Sequence, residues 1–181
     1  MSSVHSLKIL EGNSSDTLYS QFLRSSLLSN TPAIIKNCGS IDWMIGMKID
    51  QLGPVKGILS LFDADLKVPV DGVEEISRRY DASGRIELSL REFFNRSIVE
   101  KQKGLYVKDW HAFLHDDNRR AIYELFDIFV DDWLNWYYKI SSRRDDYKFI
   151  YIGGEETCTA LHHDVCCSYS WSVNLYGRKI W

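Results

Sequence analysis

The sequence predicts an α+β fold, and three observations carry that expectation. Tyr19, Phe22, Leu23 and Leu27 recur at helical spacing. Ala33-Ile34-Ile35-Lys36 and Leu66–Val70 are short apolar runs bounded by turn residues, the pattern of strands. Ser89-Leu90-Arg91-Glu92 is a capping-box sequence that opens a helix in mid-chain. The composition suits such a fold: 181 residues, 45% hydrophobic and 26% charged, supply enough apolar surface for a core. A net charge of −3 gives no global attraction to nucleic acid or anionic lipid. No apolar run reaches the roughly 18–20 residues of a membrane-spanning helix.

Taken in order, Ser15 or Asp16 can cap the first helix, and Asn30-Thr31-Pro32 ends it, because proline biases its predecessor away from helical backbone. Strands are expected at 33–36, 57–62 and 66–70, the last two joined through Asp63-Ala64-Asp65. Asp81–Arg85 reads as a surface turn. The helix begun by the capping box should bury Phe93, Phe94 and Ile98. Leu105–Trp110 reads as a strand. Tyr123–Tyr138 carries aromatic residues near helical spacing and reads as a core-facing stripe, unless Asp131 or Asp132 caps a shorter helix over 133–139. Tyr147–Ile152 is a strand ended by Gly153-Gly154.

The amino terminus, Met1–Lys8, lacks the basic-then-apolar layout of a secretory signal, so a cytoplasmic or nuclear protein is expected. In that setting Cys38, Cys158, Cys166 and Cys167 are expected as buried thiols.

The chemistry gathers in the last 25 residues. Along a strand, residues two apart share a face, so His162 and Asp164 converge while His163 points away. An imidazole and a carboxylate on one face make two-thirds of the 2-His-1-carboxylate set that holds Fe(II) and leaves positions open. The spacing alone is weak evidence, since His115-Asp116-Asp117 repeats it in a polar stretch that reads as a solvated turn. The surroundings of His162 differ. Two aromatic-rich strand segments follow it, joined at Tyr176-Gly177-Arg178, and Lys179 opens the second, where its ammonium would need an anion.

Thr159-x-x-His162-x-Asp164, then Trp171, then Gly177-x-Lys179-x-Trp181, resembles the Jumonji-C family of Fe(II)- and 2-oxoglutarate-dependent oxygenases. Tyr106–His111, Asp132–Asn135, Asp146–Tyr151 and Ser168–Asn174 extend the likeness over most of the chain. They point to the branch whose members hydroxylate a lysine of the eukaryotic translation termination factor. The resemblance implies N-terminal helices and strands leading into an incomplete double-stranded β-helix (jelly-roll, cupin-like) core. Residues 1–145 form the helical and stranded lead-in, and residues 146–181 the first core strands. It also implies His162 and Asp164 as iron ligands, with Lys179, Thr159, Tyr106 and Ser172 on 2-oxoglutarate. A related branch has Asn where this chain has Ser172. The chemistry implied is oxidation of a C–H bond with Fe(II), 2-oxoglutarate and O2, with no catalytic side chain beyond the metal centre.

In the family the second histidine lies on a later core strand, and His5, His111, His115 and His163 do not stand in its place. The chain is therefore expected to be a truncated form, inactive alone. Three other readings remain at this level: a JmjC lysine demethylase, a non-catalytic module that binds the termination factor, and a zinc module built on Cys158, His162, Cys166 and Cys167. Direct binding to nucleic acid or membrane is not expected.

Overall fold

A computed structural model describes residues 7–11, 15–36, 43–72, 85–115, 122–123, 125–141 and 146–181. The Asp81–Arg85 turn falls largely outside these residues, as do Cys38, Asp116, Asp117 and the side chains of Ser15 and Asp16. The architecture is α+β, with the order β1 (Lys8–Glu11), α1 (Ser15–Phe22), β2 (Ala33–Lys36), α2 (Met44–Leu52), α3 (Pro54–Leu59), β3 (Lys67–Asp71), β4 (Ile86–Ser89), α4 (Leu90–Phe94), β5 (Tyr106–Trp110), α5 (Trp133–Ile140) and β6 (Ile150–Gly153).

Four strands form an antiparallel sheet in the order β4-β3-β5-β6. Alternation decides its faces. Val68, Val70, Val107 and Trp110 point into the core and are at most 1% exposed, while Lys67, Pro69 and Asp71 lie on the other side of β3. Pro69, which has no N–H for a ladder, sits beside β4 at Glu87, and β5 joins β3 only from Val70 onward. The pairing of β5 with β6 slips between Val107 and Trp110. Asp109 stands in that bulge with φ +55°, a left-handed conformation Asp tolerates better than most residues. A second, parallel pair joins β1 to β2 from Lys8↔Ala33 to Glu11↔Lys36. Leu10 and Leu18 pack with Ile128 beneath it.

The predicted strand over 57–62 is overturned: residues 54–59 are helix α3. Pro54 at the first helical position presets the backbone torsion, and Ile58 and Phe62, four apart, both enter the core. Helix α2 precedes it and has no counterpart in the sequence reading. The two helices touch backbone to backbone at Gly57, where a Cβ would stand 2.8 Å from the Ile49 Cα, the Ile49 N and the Lys48 carbonyl oxygen.

The capping box forms as expected. Glu92 N–H donates to Ser89 Oγ at 3.1 Å, and Ser89 N–H donates to Glu92 Oε2 at 2.8 Å. Phe93 and Phe94 are buried, but Ile98 is 53% exposed, because a π-helical turn over Asn95–Val99 rotates it away from the core.

The core-facing stripe over 123–138 is likewise corrected. The segment breaks after a short 3-10 turn at Asp127–Phe129. A new helix then starts where Asp132 Oδ1 accepts from the Asn135 N–H. Tyr123, Phe126 and Phe129 face inward, whereas Trp133, Trp136 and Tyr137 on α5 are exposed. The shorter helix wins because a capped start and 3.6-residue geometry cannot keep both halves of the segment on one face.

The expected strands flanking His162 and after Asp164 do not form ladders among the described residues. Within this stretch Trp171, Val173 and Leu175 nevertheless pack on the main core, and the residues between them are exposed. Trp171 stacks on Phe129 with centroids 5.2 Å apart and planes 4° from parallel, and meets Trp43, Tyr123 and Phe126 edge-on. Gly177, at φ +76°, makes the turn expected of it, and Asn174 Nδ2 donates to its carbonyl at 2.9 Å.

Candidate metal and cosubstrate site

The site is built where β6 runs out. After Gly154 a tight turn is held by Thr157, whose hydroxyl donates to the Gly154 carbonyl at 2.8 Å, and Lys103 pairs with Glu156 across it at 2.8 Å. The chain then runs through Thr159 to His162 and Asp164. A 3-10 turn at Val165–Cys167 follows, with the Cys167 N–H donating to the Asp164 carbonyl at 2.9 Å. Cys166 and Cys167 both take left-handed torsions, φ +56° and +52°.

His162 and Asp164 converge, as their spacing predicts, although not from a paired strand: His162 Nε2 lies 3.2 Å from Asp164 Oδ1, and both side chains are partly open to solvent. His162 Nδ1 stands 2.8 Å from the Ala160 carbonyl oxygen, which can only accept. Nδ1 therefore carries the proton, and in the neutral ring Nε2 turns its lone pair toward the carboxylate. Two such donors facing each other call for a second proton or a cation. Donors on adjacent positions of an octahedral ion, each about 2.1 Å from it, stand about 3 Å apart. The pair fits a divalent metal. Among the described residues no group of three or more His, Cys, Asp or Glu side chains is placed to hold a metal.

Two of the expected cosubstrate residues also meet. Thr159 Oγ1 donates to the Tyr106 hydroxyl at 3.5 Å, joining residues 53 apart in sequence. Tyr106 pairs with Gly153 across the β5–β6 ladder, and a Cβ at Gly153 would stand 2.9 Å from the Tyr106 ring. Lys179 lies elsewhere on the same segment, its ammonium 3.9 Å over the Trp181 ring. Burial lowers its pKa, and no carboxylate pairs with it among the described residues. Ser172 and His163 are exposed. Cys158, Cys166 and Cys167 are exposed free thiols, which corrects the expectation of buried ones. No residue of their segment, 158–167, packs on the core, and the inward-facing positions begin only at Trp171. With no three-donor group among the described residues, these cysteines do not assemble the zinc module considered from the sequence.

The sequence reading missed Tyr151, Asp109 and Arg85. Tyr151, on the face of β6 opposite Ile150 and Ile152, donates its hydroxyl to Asp109 Oδ1 at 2.7 Å. Arg85 Nη2 donates to Asp109 Oδ2 at 2.8 Å, and Arg85 Nε to Asp71 at 2.9 Å. Burial raises the Tyr151 pKa, helped by the hydrogen bond and charge of Asp109 and by nearby Tyr106 and Asp164, so the phenol stays neutral. Burial alone would raise Asp109 as well, but the bonds from Arg85 and Tyr151 outweigh it and hold the carboxyl below its ordinary value. The available signal was a charged residue inside an apolar strand, Tyr106–Trp110, and a tyrosine on the polar side of the next.

No family model and no solved structure matches the chain. Curated proteins do. The 2-oxoglutarate and iron-dependent oxygenase JMJD4 of Danio rerio is 31% identical over 173 residues, covering 90% of this chain and 40% of that protein. The arginine-specific demethylase JMJ20 of Arabidopsis thaliana is 31% identical over 189 residues, covering 93% of this chain and 40% of that protein. JmjC domain-containing protein 1 of Schizosaccharomyces pombe is 51% identical over 79 residues, 44% of this chain and 17% of that protein. The chain thus spans about two-fifths of the length of the first two relatives. Similarity running through nearly all of the sequence, together with a converging His162–Asp164 pair, makes the chain similar to part of these Jumonji-C proteins.

Proposed function

We propose that the chain supplies metal- and cosubstrate-binding parts of an Fe(II)- and 2-oxoglutarate-dependent protein hydroxylase. The observation that carries this reading is the His162–Asp164 pair, 3.2 Å apart with the imidazole tautomer set by Ala160. When bound, iron with O2 and 2-oxoglutarate supplies oxidation of an unactivated C–H bond, the cosubstrate leaving as succinate and carbon dioxide. The protein's own part is to hold and orient. His162 and Asp164 offer one nitrogen and one oxygen ligand. The Tyr106–Thr159 hydroxyl pair and the Lys179 ammonium offer donors for a carboxylate, and Ser172 a further hydroxyl. Among the described residues no third His, Cys, Asp or Glu side chain joins this pair.

Equilibrium dialysis of the chain against Mn(II), a redox-stable stand-in for Fe(II), tests the pair. His162→Ala and Asp164→Ala should each weaken retention by at least roughly tenfold. Wild-type retention in both variants would overturn the assignment.

For the substrate, we propose a lysine of the eukaryotic translation termination factor, acting in the cytoplasm. This reading rests on the motif resemblance and on similarity to proteins named as JMJD4 oxygenases. Mass spectrometry of the factor after incubation with the chain, Fe(II) and 2-oxoglutarate tests this: an added oxygen on lysine would support the substrate and overturn the expectation that the chain is inactive alone. Capture of the factor without that product would instead favour a binding module. Demethylation is the second reading, favoured by the name of the Arabidopsis relative; formaldehyde release from a methylated arginine or lysine peptide would distinguish it.

A further inference from the structure

The polar face of the four-stranded sheet carries a chain of contacts that the proposed ligands do not use. It runs Asp71–Arg85–Asp109–Tyr151 and ends against Tyr106, whose ring centroid is 6.0 Å from that of Tyr151. Each link is directional. The guanidinium of Arg85 spans two carboxylates, Nε toward Asp71 and Nη2 toward Asp109. Asp109 uses one oxygen for Arg85 and the other for Tyr151, and its bulge torsion points both outward. Tyr151 is thereby fixed at its hydroxyl as well as at its backbone. Tyr106 is then confined from two places on one strand: the Tyr151 ring beside it, and Gly153, which leaves no room for a Cβ.

We propose that Tyr151, braced by Asp109 and Arg85, is a positioning residue that holds Tyr106 where its hydroxyl meets Thr159 and faces the anionic cosubstrate. The proposal rests on the cosubstrate reading given above for its ligand, but not for the contact itself. Without the Tyr151 hydroxyl bond the ring has no polar anchor, and Tyr106 gains rotamer freedom that a bound carboxylate must then remove. Tyr151 therefore acts through Tyr106 and touches no reacting atom.

The test places a fluorotyrosine at position 106 of the 181-residue chain and follows it by fluorine NMR. In the ligand-free protein, Tyr151→Phe should broaden or split the Tyr106 line. Asp109→Asn, which keeps an acceptor but loses the charge, should do so less. An unchanged line in both variants overturns the proposal. A merely structural role for Tyr151 would lower the thermal midpoint and leave the folded-state line as in wild type, which also overturns it.

The second arm titrates 2-oxoglutarate in the presence of Zn(II), a diamagnetic stand-in for the metal. The wild-type line should move, and Tyr151→Phe should need roughly three- to tenfold more 2-oxoglutarate for the same response. Equal requirement in the two proteins counts against the proposal. If the wild-type line ignores 2-oxoglutarate altogether, the cosubstrate reading fails, and the ligand-free comparison still decides whether Tyr151 positions Tyr106.

Discussion

Trp171 lies flat on Phe129, their planes 4° apart, and so fastens the segment that follows the proposed metal ligands to the inner half of the broken aromatic segment. Trp171 follows Asp164 by seven positions, and the same indole meets Trp43, Tyr123 and Phe126. Trp171→Ala should cost about 2–3 kcal/mol, less than a fully buried indole because Trp171 keeps some exposure. Urea unfolding measures the loss. The same variant should weaken Mn(II) retention, since Asp164 then sits on an undocked segment.

Gly57 makes a sharper prediction. A methyl group there must displace the backbone of Ile49 and Lys48, with no side chain able to yield in its place. Gly57→Ala should destabilise the protein by about 1–3 kcal/mol, although alanine is otherwise the better helix former. A stabilised variant in thermal unfolding would contradict the close α2–α3 contact.

The capping box sets an acid dependence. Bonds from the Ser89 backbone and hydroxyl, with the Lys67 ammonium, lower the Glu92 pKa to about 2. A carboxyl depressed in the folded state stabilises it above the unfolded pKa, and that contribution fades as pH falls from about 4.5 toward 2. Ser89→Ala should remove about 1 kcal/mol at neutral pH and flatten this acid limb, read from unfolding midpoints across that range.

Lys179 has an aromatic face beneath it and no carboxylate partner among the described residues. If its ammonium receives the far carboxylate of 2-oxoglutarate, Lys179→Ala should weaken binding of that cosubstrate by roughly ten- to a hundredfold, with partial recovery in Lys179→Arg. Calorimetry with Mn(II) present measures both. Equal affinity in wild type and the alanine variant would remove Lys179 from the site.

Elements written by local chemistry were legible in the sequence. The Ser89–Glu92 box, the stop at Asn30-Thr31-Pro32 and the turn at Gly177 each depend on residues a few positions apart. So does the convergence of His162 and Asp164, which needs only an extended backbone. What failed needed tertiary information. Residues 57–62 are apolar enough for a strand, and only the Pro54 start with the Ile58–Phe62 spacing argues for helix. Ile98 and Trp133 were placed inside by periodicity, which a π-helical turn and a broken helix then shifted. Arg85, Asp109 and Tyr151 come from three separate stretches, and no spacing rule relates them.

The bulge in β5 has a consequence for both sides of the sheet. Strict alternation from Val107 would turn Asp109 inward and Trp110 outward. The slipped register adds one residue, so Trp110 enters the core at 1% exposure while Asp109 reaches Arg85 and Tyr151 on the opposite side. A single inserted residue thus works as a parity switch: it sorts an indole to the oil and a carboxylate to the site. Pairing of the same residues without the bulge would exchange the two, leaving a charge in the core and an aromatic ring where the tyrosine brace should be anchored.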